Sequence, residues 1–199
     1  MTRMSAGGLA LAACLLLSAG CSSQAKEFRG ELVEEPSALE LSGRNWDGQD
    51  FKLSNVEGKV AVVTFGYTSC PDVCPMTLVK MKHLYASLGS QAEDVAVIFA
   101  SVDPHRDSVE KMSNYVPNFD RRFYGLHLPD QDLERARESF DLVVQYGQPK
   151  DGPGTDSFYY VDHTGNFFLI DRQGRHRVTL APNATAIDLV ADIRQLLSR

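Results

Sequence analysis

The chain has too few cysteines for a disulfide framework, no excess of basic residues, and no apolar run long enough to cross a bilayer as a helix. Its four cysteines stand at 14, 21, 70 and 74 among 199 residues, and a small secreted fold stapled by crosslinks needs more than one pair in its mature domain. The 20 Lys+Arg are outnumbered by 26 Asp+Glu, for a formal charge of -6. A phosphate-binding surface carries a basic excess or cluster, so nucleic acid is excluded as a partner. The nearest basic candidate, Arg121-Arg122, reads as a solvated face. Residues 6–17 form an apolar stretch of 12 residues, well short of the roughly 20 that span a membrane. With 43% hydrophobic and 23% charged residues, the composition is that of one domain with a substantial core.

What is present begins with an export signal. Residues 1–20 carry one charge, Arg3, then the apolar stretch and the small residues Ser18-Ala19-Gly20 ahead of Cys21, the layout of a signal peptide. The end LSAGC resembles a bacterial lipobox, except that Ser18 stands where that pattern prefers an aliphatic residue, which leaves ordinary cleavage open. The resemblance implies a lipid on Cys21 and a domain tethered to a membrane, facing the periplasm or extracytoplasmic space. The polar residues 21–37 then read as a lipid-anchored linker closed by Pro36. The mature chain would hold 19 Lys+Arg against 26 Asp+Glu, a charge of -7, which suits a basic partner.

From residue 38 onward the pattern is α/β. Two short strand-like pieces flank Asp47-Gly48, a hairpin signal. Residues 59–67 (KVAVVTFGY) are the continuous β-branched run of a strand buried on both faces. Residues 76–88 repeat apolar side chains at helical spacing and stop before Gly89. Residues 95–102 supply a second buried strand, parallel to the first because a helix crosses between them. Asp107 and Glu110 have the spacing of a capping box for a short helix through Tyr115. A further helix is predicted from Pro129-Asp130 to about Leu142, a surface loop over 147–154, a hairpin of FFLI and HRVTL about Arg172-Gln173-Gly174, and a closing helix over 184–197. A βαβ unit followed by a hairpin and a terminal helix is the thioredoxin-like order, here with an extra N-terminal β-hairpin and an inserted helical segment.

Once Cys14 leaves with the signal and Cys21 takes the lipid, only Cys70 and Cys74 remain. They stand where a buried parallel strand gives way to a helix, the edge at which open α/β sheets place their ligands. The helix N-terminus favours thiolate over thiol and makes the pair both nucleophilic and a soft-metal ligand. A staple closing so short a loop would contribute about 2 kcal/mol, against about 3–5 kcal/mol for long loops. Redox chemistry and metal binding are the two uses left open.

The run GYTSCPDVCP, the segment SVDPHRDSVE and VDHT before the final hairpin together resemble the Sco family, also called SenC or PrrC, of copper-binding cytochrome oxidase assembly proteins, over residues 39–197. The resemblance implies a thioredoxin-like domain that holds Cu(I) or Cu(II) on Cys70, Cys74 and His163. It also implies a copper donor protein upstream and, downstream, the CuA site of cytochrome c oxidase subunit II.

The choice among five histidines has a separate argument. His83, nine residues past Cys74 on one helix, lies on the opposite face and about 13 Å along the axis. His176 reads as a surface residue and His127 as a satisfied strand or loop histidine. His105 is the rival, because its loop leaves the sheet at the same edge as the cysteines. His163 sits where thioredoxin-like redox enzymes carry a cis-proline against their cysteine pair, and no proline occurs between Gly154 and Ala181. An imidazole there joins two thiolates in a set suited to either copper oxidation state, with Asp162 placed to orient the ring. Structural zinc would require a fourth protein ligand that the sequence does not offer. The expected function is copper delivery. The alternative is a thiol-disulfide oxidoreductase acting on cysteines of the oxidase subunit, against which stand three residues between the cysteines and the missing proline. A peroxiredoxin fits less well still, since Thr68 lies two residues before Cys70 and that family's threonine lies three before.

Overall fold

The computed structural model describes residues 27–149 and 158–199. The predicted signal peptide, Cys21 with the rest of the first six residues of the predicted linker, and most of the predicted 147–154 loop lie outside the described residues. The strands are β1 (Glu31–Leu32), β2 (Ser42–Asn45), β3 (Asp50–Lys52), β4 (Val60–Gly66), β5 (Val95–Ser101), β6 (Tyr124–His127), β7 (Val144–Tyr146), β8 (Val161–His163), β9 (Phe167–Ile170) and β10 (His176–Leu180). The helices are α1 (Val73–Leu88), α2 (Val109–Tyr115), α3 (Asp130–Phe140) and α4 (Ala186–Leu197). Eight strands form one sheet in the order β1-β10-β9-β4-β5-β6-β2-β3, and β7 pairs with β8 in a separate ribbon.

The middle of the sheet follows from its sequence. Every residue of β4 and β5 is buried, and the two run parallel in register from Val60 opposite Val95 to Gly66 opposite Ser101. Such strands have no solvated face, so their side chains do not alternate. Helix α1 turns Cys74, Leu78, Met81, Leu84, Tyr85 and Leu88 inward, and it lies against α4. Tyr85 ties the helix to the sheet: its hydroxyl donates to the Val95 carbonyl at 2.9 Å and accepts the Val97 N–H at 3.2 Å. Burial of each of the large side chains in this layer, Leu78, Met81, Leu84, Ile98 and Phe99 among them, contributes about 1.5–3 kcal/mol.

The predicted N-terminal hairpin forms as β2 and β3, turning through Gly48 at a φ of 83°, a conformation open to glycine at little cost. Rather than standing apart, it extends the sheet through β2 and β6. Three details differ from the sequence reading. The later residues of the expected linker are part of the fold: β1 pairs with β10, and the buried Asp192 carboxylate accepts the N–H groups of Arg29 at 2.7 Å and Gly30 at 2.9 Å. Ser108 rather than Asp107 caps α2, accepting the Lys111 N–H. His176 is half-buried against Phe168 with its Nε2 on the Thr179 hydroxyl, and burial lowers its pKa. Helix α4 begins with a reciprocal cap between Thr185 and Asp188, a device that satisfies two otherwise unpaired N–H groups.

Candidate metal centre

The chain leaves β4 at Gly66, turns through residues 67–70 and enters α1 at Val73. The first turn of that helix has no help from its N-cap, because the Asp72 side chain makes no capping bond, and Pro75 has no N–H to offer. Cys70 fills the gap: its Sγ accepts the Cys74 N–H at 3.4 Å. Both thiols are free, yet their surroundings differ. Cys74 is 2% exposed and lies over Gly66, where a Cβ would stand 3.0 Å from its Sγ. Burial raises its pKa well above the ordinary thiol value, and the neighbouring Cys70 adds to the shift. Cys70 is half-buried. Burial pushes its thiol up too, but the amides of Asp72, Cys74 and Val73 outweigh that and leave it below the ordinary value. This is the expected effect of a helix N-terminus on sulfur.

The loop carrying Cys70 is held from beneath by a carboxylate absent from the predicted site. Asp107 is fully buried. Its Oδ1 accepts the Thr68 hydroxyl at 2.5 Å, and its Oδ2 accepts the Thr68 N–H at 2.8 Å and the Ser101 hydroxyl at 2.7 Å. One residue earlier, Arg106 donates through Nε to Asp103 Oδ2 at 2.5 Å with both side chains buried. Its guanidinium lies 3.4 Å over the Tyr159 ring and 5.5 Å from that of Tyr67, and it donates to the Tyr159 carbonyl at 3.0 Å. The Tyr159 hydroxyl donates to Asp103 Oδ1 at 2.7 Å. The sequence signal for this cluster is the segment SVDPHRDSVE, whose one candidate nitrogen ligand by residue type is His105.

His163 ends β8. Its ring meets Tyr67 edge to face at 6.1 Å, and the Tyr67 hydroxyl accepts the Val161 N–H at 3.4 Å. The Nδ1 of His163 lies 3.0 Å from the Thr164 carbonyl. A carbonyl only accepts, so Nδ1 carries the hydrogen, and in the neutral ring Nε2 is the nitrogen with a lone pair for a ligand. The group orienting the ring is this carbonyl and not Asp162, which is exposed on β8. Among the described residues no three of His, Cys, Asp and Glu stand close enough together to enclose an ion; the fold brings the two cysteines together and packs His163 on the Tyr67 ring. The other histidines are engaged or remote. His105 is exposed against Tyr146, His127 Nδ1 lies 2.7 Å from the Asp107 carbonyl, and His83 is exposed on α1.

The donor set fits a soft cation. Two sulfurs flank one helix start, and an imidazole nitrogen on a short ribbon faces the same aromatic ring, so copper as a cargo would find thiolate and nitrogen donors of the kind it takes.

Comparison with known proteins identifies the family and supports the fold. The SCO1/SenC family model matches residues 40–198. An SCO2-like protein of Rickettsia typhi is 32% identical over 139 residues, 70% of this chain and 66% of its own length, so the match spans just under two thirds of that relative. The solution structure of apo Sco1 from Thermus thermophilus superposes with a TM-score of 0.76 at 34% identity, covering 85% of this chain and 97% of that one. The copper-bound ScoI of Bradyrhizobium japonicum superposes at 0.71 with 30% identity, covering 80% and 98%. The thioredoxin-like α/β fold, the paired cysteines at its strand-to-helix junction and the match over nearly the whole described domain establish that the chain belongs to the SCO1/SenC family.

Proposed function

We propose that this protein is a copper carrier that holds Cu(I) or Cu(II) on Cys70, Cys74 and His163 and passes it to an apo-protein at a membrane surface. By family resemblance the recipient is the CuA site of cytochrome c oxidase subunit II, loaded after a donor protein has supplied the ion. The observation that carries the reading is the pair of free thiols astride the start of α1, with His163 packed on the ring of Tyr67, three residues before Cys70. Relatives in the same family include the copper-bound ScoI of Bradyrhizobium japonicum. Cargo must come off as readily as it goes on. A site of two thiolates with one imidazole suits this, since Cu(I) is content with the sulfurs while Cu(II) calls for further nitrogen or oxygen donors. Tethering through lipid on Cys21 would keep the carrier at its recipient, and a Bacillus anthracis relative at 25% identity is described as a SCO1/SenC family lipoprotein.

The test is His163→Ala. The variant should lose the thiolate-to-Cu(II) charge-transfer absorption while keeping Cu(I) binding and the ability to close and open the Cys70–Cys74 disulfide, and it should fail to support oxidase assembly in cells. An unchanged Cu(II) spectrum would remove His163 from the site.

A second reading, a thiol-disulfide oxidoreductase acting on the recipient's cysteines, draws on one feature: the thiols are unequal. Cys70, half-exposed and with a lowered pKa, has the character of an attacking sulfur, and the buried Cys74 that of a resolving one. Under this reading the His163→Ala variant would still support assembly. A reductase step and a carrier step are compatible, since copper loads only onto reduced thiols.

A further inference from the structure

Two segments far apart in the chain have to be brought to one place for the proposed centre to exist: the loop with Cys70 and Cys74, and the approach to β8 with His163. A single short turn after β5 touches both. Asp107 grips the thiol side through the N–H and hydroxyl of Thr68. Arg106, its neighbour, reaches the imidazole side by donating to the Tyr159 carbonyl and covering the Tyr159 ring, four residues before His163. The same guanidinium also lies toward the Tyr67 ring, against which the His163 imidazole packs edge to face. We infer that Arg106 is a positioning residue: its guanidinium, fixed by Asp103, sets where the Tyr159–His163 segment lies relative to Cys70, and thereby whether the His163 nitrogen can join the two thiolates.

The chemistry explains why arginine serves here. A planar cation can stack on an aromatic face, donate in its plane to a carbonyl and pair with a carboxylate at once, whereas an ammonium presents a point charge without a face. Asp103 is satisfied twice, by Arg106 Nε and by the Tyr159 hydroxyl, so cation, carboxylate and tyrosine lock one another. Burial strengthens such a lock and makes its geometry stiff. The segment it holds is also tied by the Gly147 N–H on the Tyr160 carbonyl at 2.8 Å, by the β7–β8 pairing and by the Val161 N–H on the Tyr67 hydroxyl, but Arg106 is the contact that links it to the turn gripping the cysteine loop.

The inference rests on the three-ligand reading of the copper site, and the experiment separates their failures. Arg106→Lys keeps the charge opposite Asp103 but loses the stacking plane and the in-plane donation. Arg106→Met combined with Asp103→Asn removes both charges together, so no buried ion is left alone if the first variant folds poorly. Each is measured as the full-length protein in the wild-type and His163→Ala backgrounds, with Cu(II) and Cu(I) affinities and the ring nitrogen chemical shifts of His163 in the copper-free protein. Displaced supporting groups around a metal typically cost 10–100-fold in affinity. Arg106→Lys should therefore weaken Cu(II) by at least about tenfold, leave Cu(I) within about twofold, and shift the His163 resonances with no copper added. In the His163→Ala background the same change should have no further effect on Cu(II). Equal loss of both oxidation states, or an undiminished effect once His163 is gone, would overturn the positioning role. Wild-type Cu(II) affinity in His163→Ala alone would instead overturn the copper site, whatever Arg106 does.

Discussion

Gly66 is the residue on which fold and site depend together, and replacing it with alanine tests both. A Cβ there would stand 2.5 Å from Phe99 Cε2, 2.8 Å from Phe99 Cζ and 3.0 Å from Cys74 Sγ. Carbon atoms in contact prefer about 3.5–4.0 Å, so the new methyl overlaps the ring by about 1 Å. The ring has nowhere to go: Phe99 is 0% exposed in the central strand β5 and lies against Tyr115. Inserting a methylene-sized group into a close-packed core costs typically 1–3 kcal/mol, and the upper half of that range applies where the obstacle is the rigid ring of a buried phenylalanine. With a urea dependence of about 2 kcal/mol per molar, a loss of about 2 kcal/mol lowers the unfolding midpoint by about 1 M. The displaced methyl also presses on the Cys74 sulfur, so closure of the Cys70–Cys74 disulfide by oxidised glutathione should slow. Urea unfolding followed by circular dichroism, with thiol titration of the folded protein, measures both. An unchanged midpoint would refute the reasoning that the Phe99 ring and the Cys74 sulfur leave no room for a side chain at this position.

Asp171 organises the β9–β10 turn, accepting the N–H groups of Gln173 at 3.0 Å and Arg175 at 2.9 Å, and pairing with Arg175 and Arg177. Burial acts to raise its pKa, but the backbone and guanidinium donors prevail and hold it below 3.8. A lowered acid pKa adds stability above the unfolded value that disappears as pH falls through the folded one. Asp171→Asn should therefore be less stable than wild type at neutral pH, with the gap in urea midpoint closing as pH drops below about 3.8; a gap independent of pH would contradict this. Asp192→Ala removes the acceptor of the Arg29 and Gly30 N–H groups. Two bonds to a carboxylate are worth together about 3 kcal/mol, so limited proteolysis should cut residues 27–33 sooner, and equal cutting rates would count against the docked arm. Iodoacetamide on the reduced protein should label Cys70 well before Cys74, read by peptide mass, because Cys70 is half-exposed with a lowered pKa and Cys74 is buried. Labelling in the reverse order would overturn the assignment of the two thiols.

The elements that could be read from the sequence were those whose signal is local and strong. β4 and β5 announce themselves as unbroken apolar runs, α1 and α4 as periodic ones, and β2–β3 as a turn at Asp47-Gly48. What escaped were elements defined by partners. The two-residue β1 has no pattern of its own and exists because β10 and Asp192 receive it. The ribbon of β7 and β8 consists of two three-residue strands, too short for alternation to register. Asp107 was read as a helix cap from its spacing to Glu110, yet the carboxylate points away from α2 and toward Thr68, and Ser108 takes the cap. Spacing along the chain alone could not separate these, since both residues belong to the types that cap helices.

The site divides in the same way. Cysteine and histidine are few, so their chemistry is legible from residue type, and the topology of a strand leading to a helix placed the cysteines at the ligand edge of the sheet. The Asp103, Arg106 and Asp107 bracket was not legible, because aspartate and arginine are common and its contacts to the cysteine loop and to Tyr159 join residues 39 to 56 positions apart. The inequality of the thiols was equally hidden, although its cause lies in the spacing. Two cysteines four apart inside a helix would share one face and one environment. Here the helix begins between them, so Cys70 stays outside and collects the amides of the first turn, while Cys74 enters that turn and takes its place in the core. An incoming metal or disulfide therefore meets Cys70 first, and reaches Cys74 only by engaging the sulfur over Gly66, at the junction where β4 hands the chain to α1.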